Sequence, residues 1–167
     1  MTQHGFTFIE LIIVVAVIIV STGISMASYN SFNQRQQLTT DAEKMIDVLN
    51  LARKKSIVSD TSRYTCAAFN GYEVSVTSSG YDLNLCCGAS CSPKVAVDTY
   101  TFQQSIDVLS SQNVQFQPLN GNSASTSNTT VTLRNQSTNN CVPIVISSSG
   151  NVLPTPICTC GACWVKI

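Results

Sequence analysis

Eight cysteines, Cys66, Cys86, Cys87, Cys91, Cys141, Cys158, Cys160 and Cys163, carry most of the reactive side-chain chemistry in this chain of 167 residues. Thiols at such spacings can ligate a metal, exchange electrons or form bridges. Cys158-x-Cys160-x-x-Cys163, joined by Cys86, Cys87 and Cys91, has the donors for a thiolate zinc site, but C-x-x-C occurs once where zinc knuckles repeat it. A redox role for Cys160-x-x-Cys163 calls for a thioredoxin-like βαβ pattern around it, and the flanking sequence has none. An even number of cysteines, all after residue 60, fits a disulfide framework made in an oxidising compartment. The connectivity stays open, except that the adjacent Cys86 and Cys87 are expected to take different partners on geometric grounds. No metal and no other cofactor is expected.

Hydrolytic chemistry lacks a base. The one histidine, His4, sits in the first five residues, and Asp60, Glu73, Asp82, Asp98 and Asp107 are scattered without the spacing of a carboxylate pair. No Ser-His or Cys-His nucleophile can be assembled from the rest of the chain, so the expectation is a protein that is not an enzyme. Arg53, Lys54 and Lys55, with Arg63 nearby, form the one basic cluster. Bases at a helix end favour the helix dipole, and a solvated helix end is the first reading of this cluster. DNA contact, with Lys166 and Trp164 of the tail adding to it, is the alternative. Nine Lys plus Arg balance nine Asp plus Glu, so no net charge draws nucleic acid or anionic lipid from a distance.

One acid stands where it needs a partner. The chain opens MTQHGFTFIELIIVVAVIIVSTGISMA, and Glu10 interrupts an apolar run that starts at Phe6 and stays uncharged beyond it as far as Arg35. Residues 6 to about 27 are long enough for a bilayer core, which takes roughly 20 helical residues, and an intramembrane acid usually has a partner. The residues GFTFIELIIVV resemble the type IV prepilin signature shared by pilins and pseudopilins. That resemblance implies cleavage by a prepilin peptidase between Gly5 and Phe6, methylation of the Phe6 amine, and use of Glu10 to pair with the Phe6 amine of a neighbouring subunit during filament assembly. An ordinary secretory signal competes with it: residues 11–20 form a short apolar core, and Ser25-Met26-Ala27 is a small-residue site for cleavage after Ala27. Against that signal, its n-region has no Lys or Arg and it has no use for an acid at Glu10.

The elements that position these groups follow from periodicity. Leu38, Ala42, Met45, Leu49, Ala52 and Ser56 recur at steps of four and three, with Ile46 and Ile57 widening the stripe, which predicts an amphipathic helix laid on a sheet. Asp41, Glu43, Lys44, Asp47, Arg53 and Lys54 are assigned to its opposite face. One helix from about residue 6 to residue 58 is expected, although Thr40 and Glu43 have capping-box spacing and would also suit a fresh start at Asp41. Beyond it the period changes to alternation. RYTCAAF and YEVSV flank Asn70-Gly71, a strong hairpin signal, and a Ser79-Gly80 turn leads into YDLNL as the third strand of a meander. Further strand candidates are VAV, TYTF, IDVL, residues 114–117, TVTLRN and PIVISSSGNVLP, the last containing a Ser149-Gly150-Asn151 turn. Residues 120–128 are Gly, Asn, Ser and Thr and read as a mobile loop.

LNLARKKSIVSD, FQPLNG and TVTLRN through VISSSGNVLP resemble the minor pseudopilins of the H type, GspH and FimT. The resemblance implies an α+β, pilin-like fold: a long N-terminal helix, half hydrophobic anchor and half amphipathic, packed on an antiparallel sheet or β-sandwich with disulfides. The expected organisation is a leader over residues 1–5, a transmembrane and filament-core helix over 6–28, an amphipathic helix over 29–58 and a cysteine-rich β domain over 59–167. The function implied is that of a minor pilin or pseudopilin, a structural subunit of a type IV pilus or type II secretion-like filament. Its partners would be other pilins or pseudopilins, prepilin peptidase and an inner-membrane assembly platform. It would cross the cytoplasmic membrane once, with its C-terminal domain outside the cytoplasm, and pass into a periplasmic or extracellular filament. The alternatives are a filament-tip module that binds DNA or a surface, and a secreted binding domain.

Overall fold

A single helix, α1 (Phe8–Ile57), is the element around which the rest of the chain closes. The computed structural model describes residues 7–163, apart from the side chains of residues 23–28. Thr7 caps α1 by accepting the Glu10 N–H on its hydroxyl at 3.4 Å, and Lys54 and Lys55 sit in the last turn, where they complement the negative helix end. The helix does not restart at Asp41: Thr40 and Glu43 lie on one uninterrupted backbone. Leu38, Met45, Leu49, Ala52 and Ser56 are fully buried and Ala42 nearly so, joined by Val48. The predicted stripe is the face that meets the sheets.

The expected single pass through a membrane is corrected. Among the described residues no helix is long and apolar enough to cross one. The described apolar side chains of residues 8–20 cover about 20 Å at about 1.5 Å per residue, against about 30 Å for a bilayer core. The transmembrane assignment of residues 6–28, and the location in the cytoplasmic membrane built on it, are therefore not supported.

Among the described residues nine strands follow: β1 (Tyr72–Val76), β2 (Gly80–Cys86), β3 (Lys94–Thr101), β4 (Ile106–Val108), β5 (Asn113–Phe116), β6 (Thr129–Asn135), β7 (Asn140–Ile146), β8 (Val152–Pro154) and β9 (Cys158–Thr159). They make two antiparallel sheets, one in the order β3-β2-β1-β5 and one in the order β4-β6-β7-β8, with β9 also on β7. α1 touches β1 and β5 of the first sheet and β6, β7 and β8 of the second. Alternation explains the strands: β6 buries Val131, Leu133 and Asn135 and turns the residues between them outward.

Two loop expectations fail for physical reasons. Residues 63–69 are not a strand, and Asn70-Gly71 is not a hairpin turn. The Asn70 N–H donates to Cys86 O, the Cys86 N–H to Gly71 O, and Gln115 Nε2 to Asn70 O, so this dipeptide prolongs β1 between its two neighbours. Gly71 has φ +98°, and a Cβ there would stand 1.9 Å from Phe116 O, so the glycine answers a close strand approach instead of a turn. The hairpin that does form joins β1 to β2, where the Thr77 N–H donates to Gly80 O. Residues 120–128, expected to be mobile, are pinned to the open edge of β5. The Gln117 N–H donates to Asn122 O and the Ala124 N–H to Gln115 O, each at 2.8 Å, and Ser123 is buried.

All eight cysteines are bridged, as Cys66–Cys87, Cys86–Cys91, Cys141–Cys160 and Cys158–Cys163. Cys86 and Cys87 take different partners, as their adjacency requires. Each bridge typically contributes about 2 to 4 kcal/mol.

Candidate functional site

The first part of α1 carries an unpartnered apolar surface. Phe8, Ile9, Leu11, Ile12, Ile13, Val14, Val15, Val17, Ile18, Ile19 and Val20 are all at least 47% exposed. A helix apolar on every side is one that other apolar surfaces are meant to cover. Glu10 stands among these side chains as the one charged group of residues 8–20, also exposed. Gly5 and Phe6, the cleavage and methylation positions, lie outside the described residues.

The other end of α1 is closed by polar contacts. Ser56, a polar residue in the buried stripe, accepts the Tyr72 N–H at 2.9 Å and donates to Phe116 O at 3.1 Å, tying the helix to β1 and β5 at once. Arg53 donates to Asn151 Oδ1 at 3.0 Å and to Ser149 O at 3.3 Å, reaching the β7–β8 turn of the other sheet. Gly150 permits this turn: its φ is +76°, and a Cβ would meet Gly121 O at 2.0 Å. The motif segments ARKKS, LNG and SSSGN thus converge on one junction. Lys55 pairs with Asp60 at 2.8 Å, and that contact, with the Ser62 hydroxyl, holds the Asp60 carboxyl well below the usual range. Burial pushes the Tyr72 hydroxyl up to about 12, so it stays a neutral donor to the Asp60 carbonyl.

The basic cluster is therefore largely committed. Arg53 and Lys55 bind within the fold, Lys54 and Arg63 are exposed, and Lys166 lies outside the described residues. No converging basic surface is formed by the described members. Glu73, Cys86 and Cys91 come within metal-ligand distance of one another and are buried, but both sulfurs are consumed in a bridge and the Glu73 carboxylate pairs with Lys94. The set fits a structural ion pair beside a disulfide and offers no thiolate.

Asp41 was assigned to the polar face and is instead only 3% exposed. Its carboxylate accepts the Gln103 N–H at 2.7 Å, with Lys44 at 3.6 Å, and fixes the loop between β3 and β4 against α1. The acid could have been suspected from its place directly beside Ala42 on the stripe. A groove of about 380 Å³ lies between α1 and the β7–β8 side of the second sheet, walled by Ala42, Ile46, Val142, Pro154 and Ile157, with Glu43 and Asp47 at its lip.

Ser56 and Arg53 thus staple α1 across two antiparallel sheets, and the side chains of residues 8–20 are left bare. The family described as type II transport protein GspH matches residues 41–150, and the chain belongs to that family. The match begins at Asp41 and closes at Gly150, spanning the stapled half of α1 and the junction it makes. No curated protein and no solved structure matches the chain.

Proposed function

We propose that this protein is a structural subunit of a type II secretion-like filament, assembling with other pseudopilins through the first part of α1. The observation that carries the reading is the band of eleven large apolar side chains over residues 8–20, all exposed, beside a second half of the same helix whose apolar face is closed. Such a band is stable in water only when covered, and like helices packed side by side would cover it. Within that bundle Glu10 sets register: a carboxylate among apolar helices is costly alone and compensated by a cation, here the Phe6 amine of a neighbour after cleavage following Gly5. Prepilin peptidase and an assembly platform are the partners this reading requires. The protein is not an enzyme in this account.

The test is incorporation. Glu10→Ala should still be cleaved after Gly5 and should be lost from assembled filaments, as followed by N-terminal sequencing and by immunodetection of sheared filaments. Normal incorporation of Glu10→Ala sinks the role given to the acid.

A further inference from the structure

Two surfaces along α1 complement each other and lie too far apart to meet within one molecule. The first is the groove against the second sheet, walled by Ala42 and Ile46 of α1, Val142 of β7, and Pro154 and Ile157 of the segment that leaves β8. Glu43 and Asp47 at its lip are exposed and make no ion pair among the described residues. They stand one helical turn apart, where like charges repel. The slot thus asks for an apolar side chain accompanied by a cation.

The second surface lies at the C-terminal end of the same helix. Leu51, Ile57 and Val58 are exposed there and stand three or four residues from Lys54, on its side of the helix. Lys54 is exposed too and makes no ion pair among the described residues. Leu119 joins this patch from the turn after β5: its N–H donates to Ser56 O at 3.3 Å, and two residues on a Cβ at Gly121 would stand 2.7 Å from Ile57 Cγ1. The Leu119 side chain is 79% exposed and its φ is +69°, a conformation that strains a leucine. A leucine held so, clear of the core, is an apolar knob, and Lys54 is the cation beside it.

We infer that the knob of one copy enters the groove of a second copy of this chain, with Lys54 over Glu43 and Asp47. This rests on the reading of the protein as an assembling subunit and supplies a partner for its sheet-bearing half. The two faces of the contact differ, so it is head-to-tail: each joined pair keeps one groove and one knob free, and repetition adds further copies. From about residue 44 to about residue 57 the helix rises about 20 Å, which is the offset between parallel copies joined this way. Glu10 and the Phe6 of a neighbour, four residues apart, set an offset of about 6 Å. The two contacts therefore link different pairs of copies.

The full chain, dispersed in a mild detergent, carries the photoreactive p-benzoylphenylalanine in place of Leu119. Illumination should give a cross-linked dimer whose yield rises with protein concentration, and peptide mapping should join position 119 to residues 39–47 or 142–157 of the other copy. Lys54→Glu, and separately Glu43→Lys with Asp47→Lys, should each lower the yield severalfold while far-UV ellipticity stays that of the parent. The three substitutions together exchange the charges and should restore it. Absence of the dimer overturns the inference, as does a cross-link that maps to any other surface, or a yield that the charge exchange does not restore. Dispersed protein gives this result independently of filament incorporation. The mapped cross-link together with normal incorporation of Glu10→Ala removes the role of the acid and leaves this contact standing; the opposite pair of results removes this contact alone.

Discussion

The two halves of α1 share one backbone and differ in almost everything else. From Leu38 to Ser56 most apolar residues lie on one stripe and are buried, Ile46 is half-buried at its margin and Leu51 is the exposed exception, and the other positions are charged or polar. Over residues 8–20 they occupy every side and none is buried. The difference separates two uses of a hydrophobic helix. A stripe is satisfied by the protein's own sheets, whereas nothing among the described residues covers the full circumference. The polar contacts follow the same division: from the second half Ser56 reaches β1 and β5, Arg53 the β7–β8 turn and Asp41 the β3–β4 loop.

The largest effect should come from exchanging the same chemistry between the halves. Leu49→Ala removes a fully buried side chain and should cost about 2 to 5 kcal/mol, whereas Ile13→Ala, at a site 57% exposed, should stay within about 0.5 kcal/mol. Urea unfolding of both variants in one detergent measures this, and equal losses would erase the distinction between the halves. Ser56→Ala comes next. It leaves the Tyr72 N–H and Phe116 O without their buried partner, at a cost of about 1 to 3 kcal/mol, seen as a lower urea midpoint with an unchanged slope. The smallest effect is acidic. Hydrogen bonding from Arg134 holds the Asp107 carboxyl below its ordinary 3.8, as Lys55 does for Asp60. Both are lowered, so the unfolded chain binds more protons than the folded one in acid: their stabilisation is present above about pH 4 and is lost as pH falls through the folded values. Hydrogen exchange should show β4, β6 and the end of α1 loosening first, and Asp107→Asn should flatten part of that dependence.

Period was the legible part of the sequence. The stripe of α1, the hairpin of β1 and β2, and β6 through β8 could be read because alternation or a 3.6-residue repeat marks the face that meets the core. The class, α+β, was what the resemblance to the H-type pseudopilins implied, and cysteine parity pointed to the disulfides. What could not be read depends on partners distant in sequence. Asn70-Gly71 carries the composition of a turn, yet Cys86 and Gln115 hold it straight. Residues 120–128 have the composition of a mobile loop and are held by Gln115, Gln117 and Ser148. Asp41 is buried because Gln103 comes to it across 62 residues. Of the proposed site, the acid at Glu10 and its apolar surroundings were plain in the sequence, whereas the junction of Arg53, Ser56, Gly121 and Gly150 required the fold.

The bridges have a consequence for how the molecule can come apart. Cys66–Cys87 interlocks with Cys86–Cys91, and Cys141–Cys160 interlocks with Cys158–Cys163. The chain is thus two covalent knots on one string, with no bond joining one knot to the other. The string between them, residues 92–140, is not slack: it lends β5 to the sheet of the first knot and β4 to the sheet of the second. A protease cut inside either knot releases no fragment until a reductant is added, whereas a cut between Cys91 and Cys141 leaves two pieces that only packing holds together. Each knot is locked, and the clasp between them is α1.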